Sequence, residues 1–275
     1  MKLSVVIPCR DDPQVVACAR SVDAPAEIVI ALNGSTPDFV GLLERELGDR
    51  VRLERLPRPN RSLAAEHGIA AAAHDHVLLM DSDCVFTPGS IAAIDRALAA
   101  GDPDAEVFKG DIAFDRGTTR LSALVARSRH RRIAGRLSAY KPPLAFSRRL
   151  RARLGGRFFD PRLPWKEDAD LDYRVRRAGI RVVPVRECLI RHAALSPLAD
   201  LRSSFLYGVG HAIARHLAVP MQPPERSVLR SLAGDGAEAA LYLVVANGVR
   251  AAGVAYGHAR IRWSGGAWLD ELAAR

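Results

Sequence analysis

Val77-Leu78-Leu79-Met80-Asp81-Ser82-Asp83 sets four apolar residues in a row before two carboxylates one residue apart. An uninterrupted apolar run of this length reads as a strand buried on both faces, the habit of a parallel sheet. Ligands of open α/β sheets bind at the carboxyl ends of strands, where this run delivers its acids. Oxygen ligands suit Mg²⁺ or Mn²⁺, which take one or two carboxylates and leave other positions to substrate phosphates. The same aspartates also fit a polar turn ahead of a helix expected over 88–99, so the spacing alone leaves both readings open.

Upstream, Leu3–Ile7, Glu27–Leu32 and Val51–Leu56 read as strands, separated by helical stretches that end near Leu47 and Ala73. Four strand–helix alternations at short spacing predict βαβ units and a parallel sheet. Neither Gly-x-Gly-x-x-Gly nor a Walker A sequence follows the first strand, so a phosphate ligand would need metal and arginines in place of a glycine cradle. Downstream, Ala105–Phe114 and Pro142–Ser147 read as strands and Asp168–Ala178 as a helix. Arg181–Val185 and Cys188–Ile190 read as two short strands, and the chain from Pro197 as helical with a break at Pro220–Pro224.

The 275 residues, 48% hydrophobic and 26% charged, suit one large α/β domain with a helical appendage. Cys9, Cys18, Cys84 and Cys188 form no Cys-x-x-Cys pair and read as reduced, buried thiols of a cytoplasmic protein. Met1-Lys2 runs straight into an apolar strand, so no signal peptide is expected. The longest uncharged apolar run near the C-terminus, Ala239–Val249, falls short of the roughly 20 residues of a membrane span.

The net charge of +9 is concentrated: between Arg116 and Arg162 stand 13 Arg and one Lys against a single acid, Asp160. Such a stretch meets substrate phosphates or an anionic membrane surface, or is simply a solvated helix face. Arg127-Ser128-Arg129-His130-Arg131-Arg132 lacks interleaved aromatics, and a nucleic-acid partner is not expected.

Taken in order, Ser4–Pro8, Asn33-Gly34-Ser35-Thr36, Leu79–Asp83, Gly155–Asp160, Glu167–Arg174, Ala178-Gly179 and Ile190-Arg191-His192 resemble the family 2 glycosyltransferases of the GT-A fold. The likeness covers roughly residues 3–192. It implies a Rossmann-like, mostly parallel central sheet flanked by helices, with residues 1–100 as a nucleotide-sugar half and 101–215 as an acceptor half. Residues 216–275 would form a C-terminal helical extension. It further implies an inverting, hexosyltransferase-type reaction that uses a nucleoside diphosphate sugar (UDP-, GDP- or dTDP-linked) and Mg²⁺ or Mn²⁺.

On that resemblance Asp83, Asp81 and His192 are the expected metal ligands, and Asp168 is the expected general base with Glu167 as its close competitor. Pro8, Arg10, Asp11, Asn33, Arg61, Asp81 and Ser82 are expected around the nucleotide. Trp165, just ahead of the acid pair, either stacks on a sugar or belongs to the core. Leu32-Asn33 stands where the family commonly has two acids, and Leu32 cannot pair with a uracil NH. Glu66 stands where an asparagine is common. A nucleotidyltransferase would need a Gly-rich basic loop in place of Pro8–Asp12. The other alternative is a non-catalytic protein that holds a polyanion or a membrane with the basic stretch. The acceptor is expected to be anionic, the chain to be cytoplasmic or peripheral at the inner face of the membrane, and a homodimer is left open.

Overall fold

The computed structural model describes residues 2–220 and 237–274. One eight-stranded sheet runs β3-β2-β1-β4-β7-β6-β8-β5. Its parallel half consists of β1 (Leu3–Cys9), β2 (Glu27–Asn33), β3 (Arg52–Leu56) and β4 (His76–Leu79). The other half mixes directions. β7 (Leu144–Ser147) lies antiparallel to β4 and to β6 (Glu106–Phe114), β6 runs parallel to β8 (Arg181–His192), and β5 (Cys84–Phe86) is antiparallel to β8.

Period-2 geometry explains why the three inner strands of the parallel half, β1, β2 and β4, are mostly apolar on both faces, whereas the edge strand β3 carries Arg52, Glu54 and Arg55. Val5 and Ile7 of β1, Ile28 and Ile30 of β2 and Leu78 of β4 enter one core. Their helical partners there are Val15 of α1 (Val15–Arg20), Phe39 and Leu43 of α2 (Pro37–Leu47), and Ile91 and Ile94 of α4 (Ser90–Ala100). The intervening Val6, Val29, Val77 and Leu79 enter the core on the opposite face. These residues join Ile69 of α3 (Arg61–Ala71) and Leu171 and Val175 of α7 (Glu167–Arg177). A strand between two helical layers has no polar face, and full burial of each such side chain contributes about 1.5–3 kcal/mol.

β8 is one twelve-residue strand where the sequence suggested two short ones. A register shift at Gly110/Asp111 absorbs the irregularity and lets pairing resume through His192. Gly110 permits the shift, because a Cβ there would lie 2.6 Å from the Cys188 carbonyl. The four cysteines are free and buried, as expected.

The basic segment is not one exposed strip. It contains α5 (Arg120–Ile133), in which Arg129 is 8% exposed and donates from Nε to Asp200 at 2.5 Å. Asp200 lies on α8 (Pro197–His216). The expected proline-rich break beyond Pro220 falls outside the described residues.

The apolar stretch near the C-terminus belongs to a 28-residue helix, α9 (Ala237–Ser264), which by length and composition alone is long enough to cross a membrane. Arg250 sits inside its sequence without ending it. Glycines let α9 meet α8 backbone to backbone: a Cβ on Gly253 would fall 2.1 Å from the Phe205 carbonyl, and one on Gly208 2.1 Å from the Arg250 carbonyl. α10 (Ala267–Ala274) adds Trp268, Leu269 and Leu272 to a third core with Leu163, Val209 and Ile213. Asn60 ties this assembly to the sheet, donating to Leu272 O at 2.7 Å and to Pro161 O at 2.9 Å while its Oδ1 caps α3.

Gly253→Val is expected to force α8 and α9 apart at a cost of about 3 kcal/mol. A melting temperature lowered by roughly 5–10 °C checks it, and an unchanged one contradicts the backbone contact.

Candidate active site

The carboxyl ends of β1, β2 and β4 open on a cavity of about 210 Å³ lined by Pro8, Cys9, Arg10, Asn33, Arg61, Asp81, Ser82 and Asp83. Seven of the residues singled out in the sequence therefore share one cleft. Asp11, Trp165, Glu167, Asp168 and His192 are not among its lining residues. The Asp11 carboxylate accepts from Thr36 N at 2.8 Å and Oγ1 at 3.2 Å, pinning the loop after β2. Trp165 packs against the α8–α10 core. Ser82 lines the cleft, but its hydroxyl is engaged by Asp12 Oδ2 at 2.7 Å.

Asp83 Oδ2 lies 3.3 Å from His192 Nε2. The other ring nitrogen, Nδ1, is 2.8 Å from Ala193 O; a carbonyl only accepts, so Nδ1 carries hydrogen. In the neutral ring Nε2 then presents a lone pair to a carboxylate, an arrangement that needs a cation between them, either a proton or a metal. Burial, offset in part by His192 and reinforced by Asp81, raises the Asp83 carboxyl above its usual range. Cys84 Sγ belongs to the same cluster, within which all ligand atoms lie inside 4.8 Å. Burial and the two aspartates push its thiol far up. Asp83 thus offers a carboxylate oxygen to the cleft with the buried His192 imidazole behind it, and Asp81 lines the same cleft; the carboxylates are donors of the kind that suits Mg²⁺ or Mn²⁺.

Asp81 is held differently. Arg61 Nη2 reaches its Oδ2 at 3.1 Å. Burial pushes the carboxyl up, but Arg61, Lys141 and His192 together bring it below the usual range. Arg61 also places Nε 3.4 Å from Glu167 Oε1, so one guanidinium spans the acid of β4 and the first acid of α7. Its side chain is still 42% exposed and faces the cleft.

Lys141 was not foreseen from sequence. Its side chain is 2% exposed, its Nζ lies 3.2 Å from Glu167 Oε1, and it stands 5.5 Å over the Phe159 ring. Nothing between Tyr140 and Pro142 marks it, because its partner arrives from 26 residues away in the sequence. Lys109, equally unforeseen, donates to the Pro142 and Pro143 carbonyls at 2.6 and 3.4 Å and so fixes the loop that carries Lys141. Burial depresses Lys109 to about 8.

Glu167 and Asp168 thus part company despite being neighbours. Glu167, 4% exposed, is clamped between Lys141 and Arg61. Asp168 has no ion pair among the described contacts; its Oδ1 accepts only from Ala169 N, at 2.8 Å. Burial and then the charge of Glu167 raise it to about 6, with Lys166, Lys141 and Arg61 pulling the other way. Glu66 has a structural use: its Oε1 accepts from Phe158 N at 2.5 Å and Phe159 N at 2.7 Å, which holds the loop ahead of the acid pair. Asn33 similarly accepts from Asn60 N at 2.5 Å.

A carboxyl raised in the folded state binds its proton more tightly there than in the unfolded chain. Stability therefore falls as pH climbs from the unfolded value through about 6. Asp168→Asn is expected to melt higher than the parent at about pH 8, with the difference narrowing towards about pH 4. Thermal melts across that range check it; a pH-independent difference contradicts it.

The sequence profile "Glycosyl transferase family 2" matches residues 4–156, more than half of the chain. Among solved structures, glucosyl-3-phosphoglycerate synthase from Mycobacterium tuberculosis, in complex with phosphoglyceric acid, superimposes with a TM-score of 0.54 at 22% identity, covering 80% of this chain and 81% of that one. Residues 1–349 of S. aureus TarS give 0.53 at 16% identity, over 91% and 80%. The same TarS fragment with UDP-GlcNAc gives 0.50 at 15% identity, over 85% and 73%. The chain spans 42% of the length of a longer TarS chain. None of the curated proteins matches the chain by sequence. The alternating strands, the acid-ended β4, the cleft at the sheet's carboxyl edge and the profile agree: the chain belongs to the family 2 glycosyltransferases.

Proposed function

We propose that this glycosyltransferase moves a sugar from a nucleoside diphosphate sugar to an acceptor hydroxyl with inversion, and that Asp168 is the general base. The observation that carries the assignment is the asymmetry of the acid pair. Glu167 is neutralised by Lys141 and Arg61, whereas Asp168 opens α7 without a cation of its own and is raised to about 6. A base poised there is ionised at neutral pH and still takes up a proton readily. As the acceptor oxygen attacks the anomeric carbon and the bond to the diphosphate breaks, the hydroxyl proton passes to the Asp168 carboxylate.

The donor lies in the cleft of Pro8, Arg10, Asn33 and Arg61. UDP-GlcNAc in the TarS complex supports a nucleotide sugar as ligand of this fold. Leu32 is 1% exposed, so the position that would read a uracil NH is apolar core, and UDP, GDP and dTDP all stay in play. Asp83 and His192, with Asp81 beside them, would hold Mg²⁺ or Mn²⁺, which when bound neutralises charge on the departing diphosphate. Arg61 and Lys141 lie on the side of the first α7 acid.

The acceptor in this reading is anionic. Arg129 uses its charge on Asp200, Arg132 stands near the same carboxylate and near Arg250, and Arg250 Nε is buried without a hydrogen-bond partner among the described residues. Lys166 adds a further cation beside the acid pair, its proton affinity lowered by burial and by Arg250. Phosphoglyceric acid in the mycobacterial complex supports this acceptor class. A non-catalytic polyanion binder fits less well, because the cleft presents Asp81 and Asp83 and α5 buries Arg129.

Single-turnover assays with nucleotide sugars test the assignment. Asp168→Asn should lower kcat by about 10²–10⁴ with donor binding retained, and the product should have the inverted anomeric configuration. Activity retained in Asp168→Asn but lost in Glu167→Gln would transfer the role to Glu167.

A further inference from the structure

Eight large hydrophobic side chains are exposed among the described residues, and five of them lie on α9: Leu241, Val244, Val245, Tyr256 and Trp263. Their exposures run from 46% to 82%. At 100° per residue they fall in one arc together with Gly248, Ala251, Ala252 and Ala255, all of them exposed. The opposite arc, Ala239, Leu243, Ala246, Gly253, Gly257 and Ile261, is buried. From Leu241 to Trp263 the outer stripe extends about 33 Å. No ionisable side chain interrupts it between Leu241 and Ala255, since Arg250 turns sideways into the protein.

The stripe ends in a cationic and aromatic patch. Trp263, 82% exposed, is flanked by exposed Arg260 and Arg262. The only acid of α9, Glu238 at the far end, is already paired with Arg120. We propose that this outer stripe docks the enzyme on an anionic lipid bilayer, with Leu241, Val244, Val245 and Tyr256 entering the interface and Trp263, Arg260 and Arg262 at headgroup level. A helix with one apolar face, a basic end and an interfacial tryptophan is built to lie in that plane. Two facts favour lipid over a second copy. Arg260 and Arg262 set cations at the tryptophan end of the stripe, where α9 itself has no acid, and the net charge of +9, carried mainly by residues 116–162, sets two copies against each other. The inner arc is committed to α8 through the Gly208 and Gly253 backbone contacts, so the helix rests on the bilayer and does not cross it. The inference is independent of the transfer reaction and of its base.

Co-sedimentation of the full chain with vesicles tests it, using phosphatidylcholine alone and phosphatidylcholine with about one-third phosphatidylglycerol. Binding is expected only to the anionic vesicles and should weaken with salt. Val244→Glu with Val245→Glu should lower partitioning at least about tenfold, and Val244→Ser with Val245→Ser less so, with melting temperatures unchanged because both sites are exposed. Arg262→Glu should weaken binding without affecting the fold. The proposal is overturned if the parent fails to bind anionic vesicles, or if binding survives the glutamate pair. It is also overturned if light scattering finds a lipid-independent dimer that the glutamate pair dissolves.

Discussion

Four carboxylates, Asp81, Asp83, Glu167 and Asp168, are gathered at one edge of the sheet, and their mutual repulsion is the constraint that the surrounding structure answers. Each receives a different answer. Asp81 has Arg61, Glu167 has Arg61 and Lys141, and Asp83 has the His192 ring. Asp168 has no ion pair among the described contacts, and burial raises it to about 6. Acids of identical chemistry acquire separate roles by partition of the available cations.

That partition depends on parts of the fold that look remote from it. Lys141 is aimed by a loop whose carbonyls are held by Lys109, and Arg61 begins a helix whose cap, Asn60, is tied to the last helix of the chain through Leu272. Glu66 holds the aromatic loop that precedes the acid pair. The C-terminal helices therefore brace the start of α3 as well as covering Leu163.

Much of this was legible in the sequence because it is local. The apolar run ending at Asp81 and Asp83 marks a strand buried on both faces, and the acid pair at the head of α7 follows from helical spacing alone. The cleft gathers Pro8, Arg10, Asn33, Arg61, Asp81, Ser82 and Asp83 because parallel strands end on one edge. The rest was illegible because it rests on long-range geometry. Lys141 looks like any lysine before a proline pair. Arg129 looks like its arginine neighbours, yet the turn of α5 buries it against Asp200. Arg250 looks like the end of an apolar run, and only the inward rotation of its side chain reveals α9 as one long helix with an unbroken outer face.

The measurement that tests the account most directly is calorimetric titration of UDP, GDP, dTDP and CDP into the enzyme with Mn²⁺, with Mg²⁺ and with EDTA, repeated in Asp83→Ala. One nucleotide should bind in the presence of metal, with affinity reduced at least about tenfold by EDTA or by Asp83→Ala, since in the proposed reading Asp83 and His192 would hold the cation. Equal affinity in EDTA and in Asp83→Ala would contradict the metal-centred reading of the cleft.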